Sequence, residues 1–228
     1  MLRRCLLALS ALSLLLASAC QQPATQPAAK TAQARIANAE SANVPVPSGH
    51  FDYFLFTLSW SPEYCHGHPN AQQCGGDHPG FVVHGLWPQF NNGQWPSACS
   101  SEPGLSNPSS MLDIMPDPRL IQHEWTTHGT CSGLSADQYF GVIRKAWNSI
   151  KIPSELASPT RTTTRSADEI KQMFTDANPG MTSDDIAVSC HNRYLSAVEF
   201  CLAKNLQPTA CQAVRDCNAN SIRIPAGR

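Results

Sequence analysis

The sequence predicts an α+β domain in which an antiparallel sheet is packed by helices and stabilised by disulfide bonds. Three observations indicate this fold class: separated runs of strand-type residues, two amphipathic segments with helix-capping residues, and an even set of cysteines after an apolar leader. The segment 50–228 is long enough to bury a hydrophobic core of its own. We therefore expect one folded domain after an amino-terminal extension.

Residues 1–19 have the features of a signal peptide. Two arginines precede an apolar run at 5–16, and the small residues 17–19 supply a cleavage site. The run is too short to span a membrane as a helix. Cys20, directly after the cut, also resembles the acylated cysteine of a bacterial lipoprotein, so both outcomes stay open. We expect an exported protein, periplasmic or secreted, whose membrane attachment would depend on a lipidated Cys20.

Residues 20–49 are rich in alanine, glutamine and proline and contain almost no large apolar side chain. Such a segment cannot bury enough surface to fold alone, so we expect a disordered linker. It would act as a tether if Cys20 is lipidated and as a free tail otherwise.

Two strands are predicted at the start of the domain. Large apolar side chains occupy both faces of 50–60, which is typical of a central strand. Prolines and a glycine pair predict a loop at 61–80. The apolar run 81–83 predicts a second strand, and Gly85 would let the chain turn so that His84 lies at the strand end.

Helices and strands with clear signals follow in the second half. Ser135 and Gln138 form a capping box before apolar residues at core spacing as far as residue 150. A second capped helix is predicted at 166–178. The segments 186–190 and 194–202 have the composition of strands.

The stretch 123–131 places polar groups on one face of a predicted helix. Glu124 and His128 are four residues apart and share a face, whereas Trp125 points toward the core. Gly129 suits the left-handed residue that ends a helix. His128 would then lie in the last turn, where the helix dipole and Glu124 favour the imidazolium form.

The loop-rich segment before this stretch would be anchored mainly by Trp95.

Two histidines on rigid elements fit acid–base chemistry. One can remove a proton while the other donates one, as attack of a ribose 2′-hydroxyl on its own 3′-phosphate requires. That reaction needs no metal and no cofactor. The net charge of −1 argues against a storage or structural RNA-binding role more than against a catalyst that releases its products.

The predicted loop 61–80 offers a different interpretation. Its three histidines and two cysteines could form a metal site, which would make the protein a metal-dependent hydrolase. We expect an exported protein to oxidise those thiols instead, because eight cysteines remain after the leader. Spacing alone leaves the connectivity of four disulfide bonds open. The histidines are His66, His68 and His78.

HGLWP at 84–88 and HEWTTHGTC at 123–131 resemble the two active-site segments of the ribonuclease T2 family, over roughly 51–217. The resemblance implies a ribonuclease T2-like fold and an endoribonuclease that cleaves single-stranded RNA, with no role on DNA. His128 would be the base and His84 the acid, with Glu124 as the third catalytic residue. The products would be a 2′,3′-cyclic phosphate and then a 3′-phosphate.

The resemblance also implies further roles. His123 and Thr127 occupy positions that contact phosphate. Trp87, Gln89 and Leu120 occupy base-binding positions. Gln89 and Leu120 differ from the acidic and aromatic residues common there, so we expect broad base specificity. We also expect a monomeric enzyme. The implied disulfide pairs are Cys65 with Cys74, Cys99 with Cys131, Cys190 with Cys217, and Cys201 with Cys211.

Thr127 departs from the family pattern, which commonly has a lysine there. Loss of one such donor costs about 2.7–4 kcal/mol of transition-state stabilisation. Arg119 is the nearest basic residue before the motif, and the sequence does not say whether it reaches the site. We expect an active enzyme whose rate is weakened by the missing lysine or retuned by His123. The alternative is a catalytically silent, surface-tethered binding protein.

Overall fold

The computed structural model describes residues 48–75 and 80–227. The expected signal peptide, Cys20 and most of the expected linker lie outside the described residues, as does His78. Among the described residues, none of the helices combines the length and the apolar character that a membrane crossing requires.

A six-stranded sheet with the order β2-β1-β5-β6-β3 forms the centre of the domain, and β4 pairs with β5. Every pairing is antiparallel except the contact between β5 and β6, so the predicted antiparallel sheet is in fact mixed at one edge. The strands are β1 Tyr53–Trp60, β2 Phe81–Gln89, β3 Thr163–Arg165, β4 Ile186–His191, β5 Tyr194–Leu202 and β6 Ile222–Ile224.

Helices pack against this sheet around the main core, which confirms the predicted fold class. The capping boxes predicted at Ser135 and Ser166 are both present, because each serine side chain accepts from the third residue of its helix. The helices are α1 Ser61–Gly67, α2 Pro118–Thr127, α3 Ala136–Ser149, α4 Ser154–Ala157 and α5 Ala167–Ala177. Short 3-10 turns lie at Gln72–Cys74, Pro108–Met111, Gly129–Cys131 and Ser183–Asp185.

The central strand β1 separates two unlike faces. Phe56, Leu58 and Trp60 are fully buried in the main core beneath the helices. Between them, Thr57 and Ser59 point to the opposite face, because side chains alternate along a strand. This second face carries the polar groups described below, and the prediction of a strand covered on both sides is confirmed.

Two predictions about the loops are wrong. The segment 61–80 begins with helix α1, since Pro62 lies in the first turn of a helix, where its missing N–H costs nothing. Trp95 is 59% exposed, so it is not the main apolar anchor of its segment. The segment between β2 and α2 is held instead by Met111, Ile114 and Met115, each at most 4% exposed.

The part of the chain that the structure describes contains four disulfide bonds, with the pairing that the family resemblance implies. The Cys99–Cys131 bond ties the segment after β2 to the end of α2. Two hydrogen bonds support it, from the Ala98 N–H to the Thr127 carbonyl at 2.8 Å and from the Cys99 N–H to Thr130 Oγ1 at 3.1 Å. The other bonds are Cys65–Cys74, Cys190–Cys217 and Cys201–Cys211.

Candidate active site

His84 lies on a β-bulge rather than at the end of a strand. The β1–β2 register shifts so that Thr57 pairs with Gly85 and Leu58 with Val83, which leaves His84 as the extra residue. The predicted turn after His84 is therefore wrong, and β2 continues to Gln89. The bulge aims the imidazole toward β1, where Ser59 Oγ lies 3.1 Å from Nδ1 of His84.

Gly85 leaves room for neighbouring side chains and does not form the predicted turn. A Cβ atom at this position would overlap the carboxyl group of Glu124 and the indole nitrogen of Trp87. The absence of a side chain therefore lets the Glu124 carboxyl group reach the surface of the sheet. The Trp87 indole N–H donates a hydrogen bond of 2.6 Å to Oε2 of Glu124.

The helix side of the site ends differently from the prediction. Helix α2 stops at Thr127, and His128 is its C-cap, with its N–H bonded to the Glu124 carbonyl. Gly129 does not have the left-handed backbone expected of it but begins a 3-10 turn. A Cβ atom there would overlap Trp125 and Tyr139, so close packing explains this glycine. Trp125 is 1% exposed, which confirms its predicted place in the core.

Glu124 lies between the β2 side of the site, which carries His84, and the α2 side, which carries His128. It is 1% exposed, and its Oε1 lies 3.7 Å from Nε2 of His84. Donor atoms of Glu124, His123 and His128 all lie within 4.8 Å of one another. Burial raises the pKa of Glu124 to about 8, against a smaller lowering by the Trp87 hydrogen bond. At neutral pH this carboxyl group is mostly protonated.

His128 is half-buried, and its Nδ1 is a buried atom without a hydrogen-bond partner among the described residues. Burial, with smaller effects of the neighbouring His123 and His84, lowers the pKa of His128 to about 4. The expected preference for imidazolium is therefore wrong, because burial disfavours the charged form of the ring. Burial, with a smaller effect of His123, also lowers the pKa of His84.

His123 and Thr127 lie at the exposed rim of this cluster. Thr127 Oγ1 is 3.5 Å from Nδ1 of His123, and the His123 ring centre is 6.4 Å from that of His128. No lysine or arginine in the described ranges forms an ion pair with Glu124. Arg119 lies in the first turn of α2, five residues before Glu124, and pairs with Asp117 at 3.1 Å.

Trp87 is the predicted base-binding residue that lies against the histidines. Its ring centre is 5.2 Å from that of His84 and 5.3 Å from that of His128. Gln89 is 7% exposed at the end of β2, paired with Tyr53. Leu120 packs against the main core. The structure therefore gathers His84, Trp87, His123, Glu124, Thr127 and His128, and places Gln89 and Leu120 in packed positions.

The histidines of the 61–80 segment do not form the alternative metal site with cysteine ligands. Cys65 and Cys74 are bonded to each other, so neither offers a thiolate. His68 stacks on Tyr64 with ring centres 4.3 Å apart, and its Nδ1 lies 3.0 Å from the Tyr64 carbonyl oxygen. Within the described residues, the possible metal-ligand atoms that do approach one another belong to His123, Glu124 and His128.

Two residues that support the cluster were not indicated by the sequence. Ser59 contacts His84 from 25 positions away, and the buried hydroxyl of Tyr139 donates to the Leu86 carbonyl at 2.7 Å from 53 positions away. The second contact fastens α3 to β2 beside Gly85. Neither contact has a local sequence signal, because each depends on the register of β2.

Comparison with known proteins agrees with this geometry. Residues 51–217 match the model of the ribonuclease T2 family. The chain is 44% identical over 96 residues to a ribonuclease of Aeromonas hydrophila, covering 40% of this chain and 43% of that protein. It is 30% identical over 192 residues to a probable ribonuclease of Haemophilus influenzae, covering 76% and 64%.

Each of these matches spans less than two thirds of the relative's own length. Among solved structures, the RNase-related protein from Calystegia sepium superposes with a TM-score of 0.64 at 23% identity, covering 78% of this chain and 98% of that one. At that identity the superposition shows the fold alone. Because the family model covers most of the chain, from residue 51 to residue 217, the chain belongs to the ribonuclease T2 family.

Proposed function

We propose that this protein is an endoribonuclease that cleaves single-stranded RNA by transphosphorylation. One observation carries the proposal: His84 from the sheet and His128 from a helix end both border the buried carboxyl group of Glu124. Two imidazoles on opposite sides of one polar centre can act on the attacking and leaving oxygens of a single phosphodiester. Family membership supports the same reaction class.

His128 is the proposed base. Its lowered pKa keeps the imidazole neutral, so that it can take the proton from a ribose 2′-hydroxyl. The 2′-oxygen then attacks the phosphorus, and the bond to the 5′-oxygen breaks. His84 is the proposed acid, and it gives a proton to the departing 5′-oxygen. The product is a 2′,3′-cyclic phosphate, which water opens in a second step to a 3′-phosphate.

Glu124 serves as a neutral acid in this proposal. Its proton can form a hydrogen bond to a non-bridging phosphoryl oxygen, where negative charge develops in the transition state. The Trp87 N–H holds the other carboxyl oxygen in place. A protonated carboxyl group thus offers the donor that a lysine commonly provides at the position of Thr127. His123, on the exposed rim, is the proposed second phosphate contact, with Thr127 beside it.

Broad base specificity follows from the proposed base contacts. Trp87 presents an aromatic ring beside the histidines, and stacking accepts every base because each has a π-face. Gln89 is buried and Leu120 packs on the core, so neither offers a free polar group that would select one base. We propose that the enzyme acts without a metal and as a monomer on RNA.

The proposal includes export. Four disulfide bonds fit an oxidising compartment such as the periplasm or the extracellular space. Residues 1–19 would be removed as a signal peptide, 20–49 would form the linker, and 50–228 the catalytic domain. A lipid on Cys20 would attach the protein to a membrane through that linker.

A catalytically silent RNA-binding protein is the second candidate, and the observation that favours it is Thr127 in place of a lysine. Thr127→Lys tests it against the first, with Thr127→Gln as an uncharged control of similar length. If the missing cation limits the rate, kcat should rise about tenfold in the lysine variant alone. An unchanged kcat in an active enzyme would mean that Glu124 already supplies the donor.

Product analysis on a defined dinucleotide tests the proposed function. With excess chelator, the protein should still release a 2′,3′-cyclic phosphate, and a substrate that lacks the 2′-hydroxyl should stay intact. Loss of cleavage with chelator, restored by a divalent cation, would favour a metal bound by His123, Glu124 and His128. No cleavage under either condition would leave the silent binding protein.

A further inference from the structure

A second group of side chains suited to RNA lies where β6 joins β5. Tyr194 and Arg223 are direct partners across these strands. The Arg223 guanidinium carbon lies 5.3 Å from the centre of the Tyr194 ring, and its Nη1 donates to the Tyr194 hydroxyl at 3.3 Å. Arg193 is next to Tyr194 in the chain, and its carbonyl accepts from the Arg223 N–H at 2.8 Å.

These side chains share a face of the sheet with the candidate active site. Ile222 and Ile224 are buried in the main core, so Arg223 between them points to the opposite face. Ser59 points to that same face, since Leu58 and Trp60 on either side are buried.

The distance between the two places is short. Ser59, which contacts His84, pairs with Ala197 of β5. Tyr194 lies three residues before Ala197 in that strand, a rise of less than about 10 Å, because Ser196 between them is the extra residue of a β-bulge. An OB fold, for comparison, binds about 4–16 nucleotides of a single strand, and a strand of that length can reach both places.

The charge at this place is uncompensated. Arg193 and Arg223 are exposed, and neither takes part in an ion pair within the part of the chain that the structure describes. Glu63 on the neighbouring helix α1 contacts His191 at 3.1 Å instead. Of the other arginines in the described ranges, Arg119, Arg144 and Arg165 are each held by a carboxylate, whereas Arg161 and Arg215 are not.

The turn that carries Arg193 is a second, independent observation. Asn192 and Arg193 have left-handed backbones, with φ of 49° and 67°. Two-residue hairpin turns of this kind favour glycine at the second position, because a Cβ atom is disfavoured there. An arginine in that position adds strain that the turn itself does not require. A local strain at an exposed site points to a use for the side chain.

We propose that Arg193, Tyr194 and Arg223 form a distal RNA subsite that holds the strand beyond the cleaved phosphodiester. The two guanidinium groups contact backbone phosphates, and the stacked Arg223–Tyr194 pair offers a flat surface to a base. This inference rests on the proposed function, because it assigns the same RNA a second point of contact.

The test compares Arg193→Ala/Arg223→Ala with Lys145→Ala/Lys151→Ala, a control that removes two exposed lysines elsewhere. With a dinucleotide, which fills only the cleavage site, kcat/KM should stay within about twofold in both variants. With a decauridylate, KM should rise only in the arginine variant. Two results would overturn the subsite. One is an equal effect of the two variants on KM for the decauridylate, and the other is a loss of kcat/KM in the arginine variant that is as large on the dinucleotide as on the decauridylate.

Equilibrium binding gives a readout that does not depend on cleavage. Fluorescence anisotropy with a labelled 2′-O-methyl decauridylate, which lacks the nucleophile, measures affinity from 50 to 200 mM salt. Loss of two phosphate contacts should reduce the slope of log affinity against log salt by about 1.4, so the wild type should lose about sevenfold more affinity over that range. A wild-type slope in the arginine variant would contradict the subsite even if the protein fails to cleave RNA.

Discussion

The candidate site has a strand half, formed by β1 and β2 with His84, and a helix half, formed by α2 with His128. The two halves hold their histidines in different ways. His84 sits on the bulge of β2, with 41% of its side chain exposed, and Ser59 fixes its Nδ1 by a hydrogen bond. His128 caps α2, is half-buried, and has no hydrogen-bond partner for Nδ1 within 48–75 and 80–227. The strand half therefore orients its imidazole by hydrogen bonding, and the helix half does so by packing.

This difference sets the protonation of each half. Burial lowers the pKa of both imidazoles, and that of His128 falls to about 4. His128 is therefore neutral over most of the accessible pH range and suits the role of base. The proposed acid, His84, also has a lowered pKa, so it carries its proton only at acidic pH. Glu124 between them keeps a proton until about pH 8.

Removing either imidazole should give the largest effect. General acid or base catalysis contributes about 10²–10⁴-fold. We expect His84→Phe and His128→Phe each to lower kcat on a dinucleotide by roughly 10³-fold, with release of the cyclic phosphate as the measurement. His66→Phe, at an exposed position of helix α1, is the matched control and should keep full activity. Full activity in either site variant would remove that histidine from the reaction.

Changing the group between the halves should have the next largest effect. Glu124→Ala removes a donor to the transition state and should lower kcat by about 10²–10³-fold. Glu124→Gln keeps an N–H donor in nearly the same volume, so it should retain most of the activity at pH 6. Equal losses in the two variants would mean that Glu124 acts as a carboxylate rather than as a neutral acid.

The pH profile separates the two halves further. On the acid side, kcat/KM should fall about tenfold per pH unit below about 4, where His128 becomes protonated. On the other side it should fall above the lowered pKa of His84, as the acid loses its proton. The optimum is therefore acidic, below 6.5. An optimum above pH 7.5, measured on a dinucleotide, would contradict these assignments.

The hydrogen bond that orients His84 should have the smallest effect. A neutral hydrogen bond contributes about 1 kcal/mol, so Ser59→Ala should lower kcat by roughly fivefold. KM for the dinucleotide should not change, and the limb of the pH profile assigned to His84 should shift. Ser59→Thr retains the hydroxyl and should restore the rate. An unchanged profile in Ser59→Ala would assign Ser59 a packing role only.

Patterns that repeat along the chain were the most reliable guide to the fold. Capping boxes and core spacing predicted α3 and α5, and strand composition predicted β1, β4 and β5 within a few residues. The three-residue strands β3 and β6 gave no signal, because their pairing depends on residues far away in the chain. Helix α1 was missed because Pro62 was interpreted as a breaker instead of a first-turn residue.

The site divides in the same way. The motifs identified the residues that the structure gathers around Glu124, but not how they are held. Gly85 and Gly129 were both assigned backbone roles, whereas each makes room for a neighbouring side chain. The pKa of His128 was predicted in the wrong direction. Burial depends on the tertiary structure and cannot be derived from the spacing of residues along one helix.

Whether the two halves act on one phosphodiester is tested most directly by a double-variant cycle on a dinucleotide. Groups that work together on one transition state give strongly non-additive losses. The account predicts that His84→Phe/His128→Phe lowers kcat within a few-fold of the worse single variant. A loss equal to the product of the two single losses would show that the histidines act independently and would contradict the shared site.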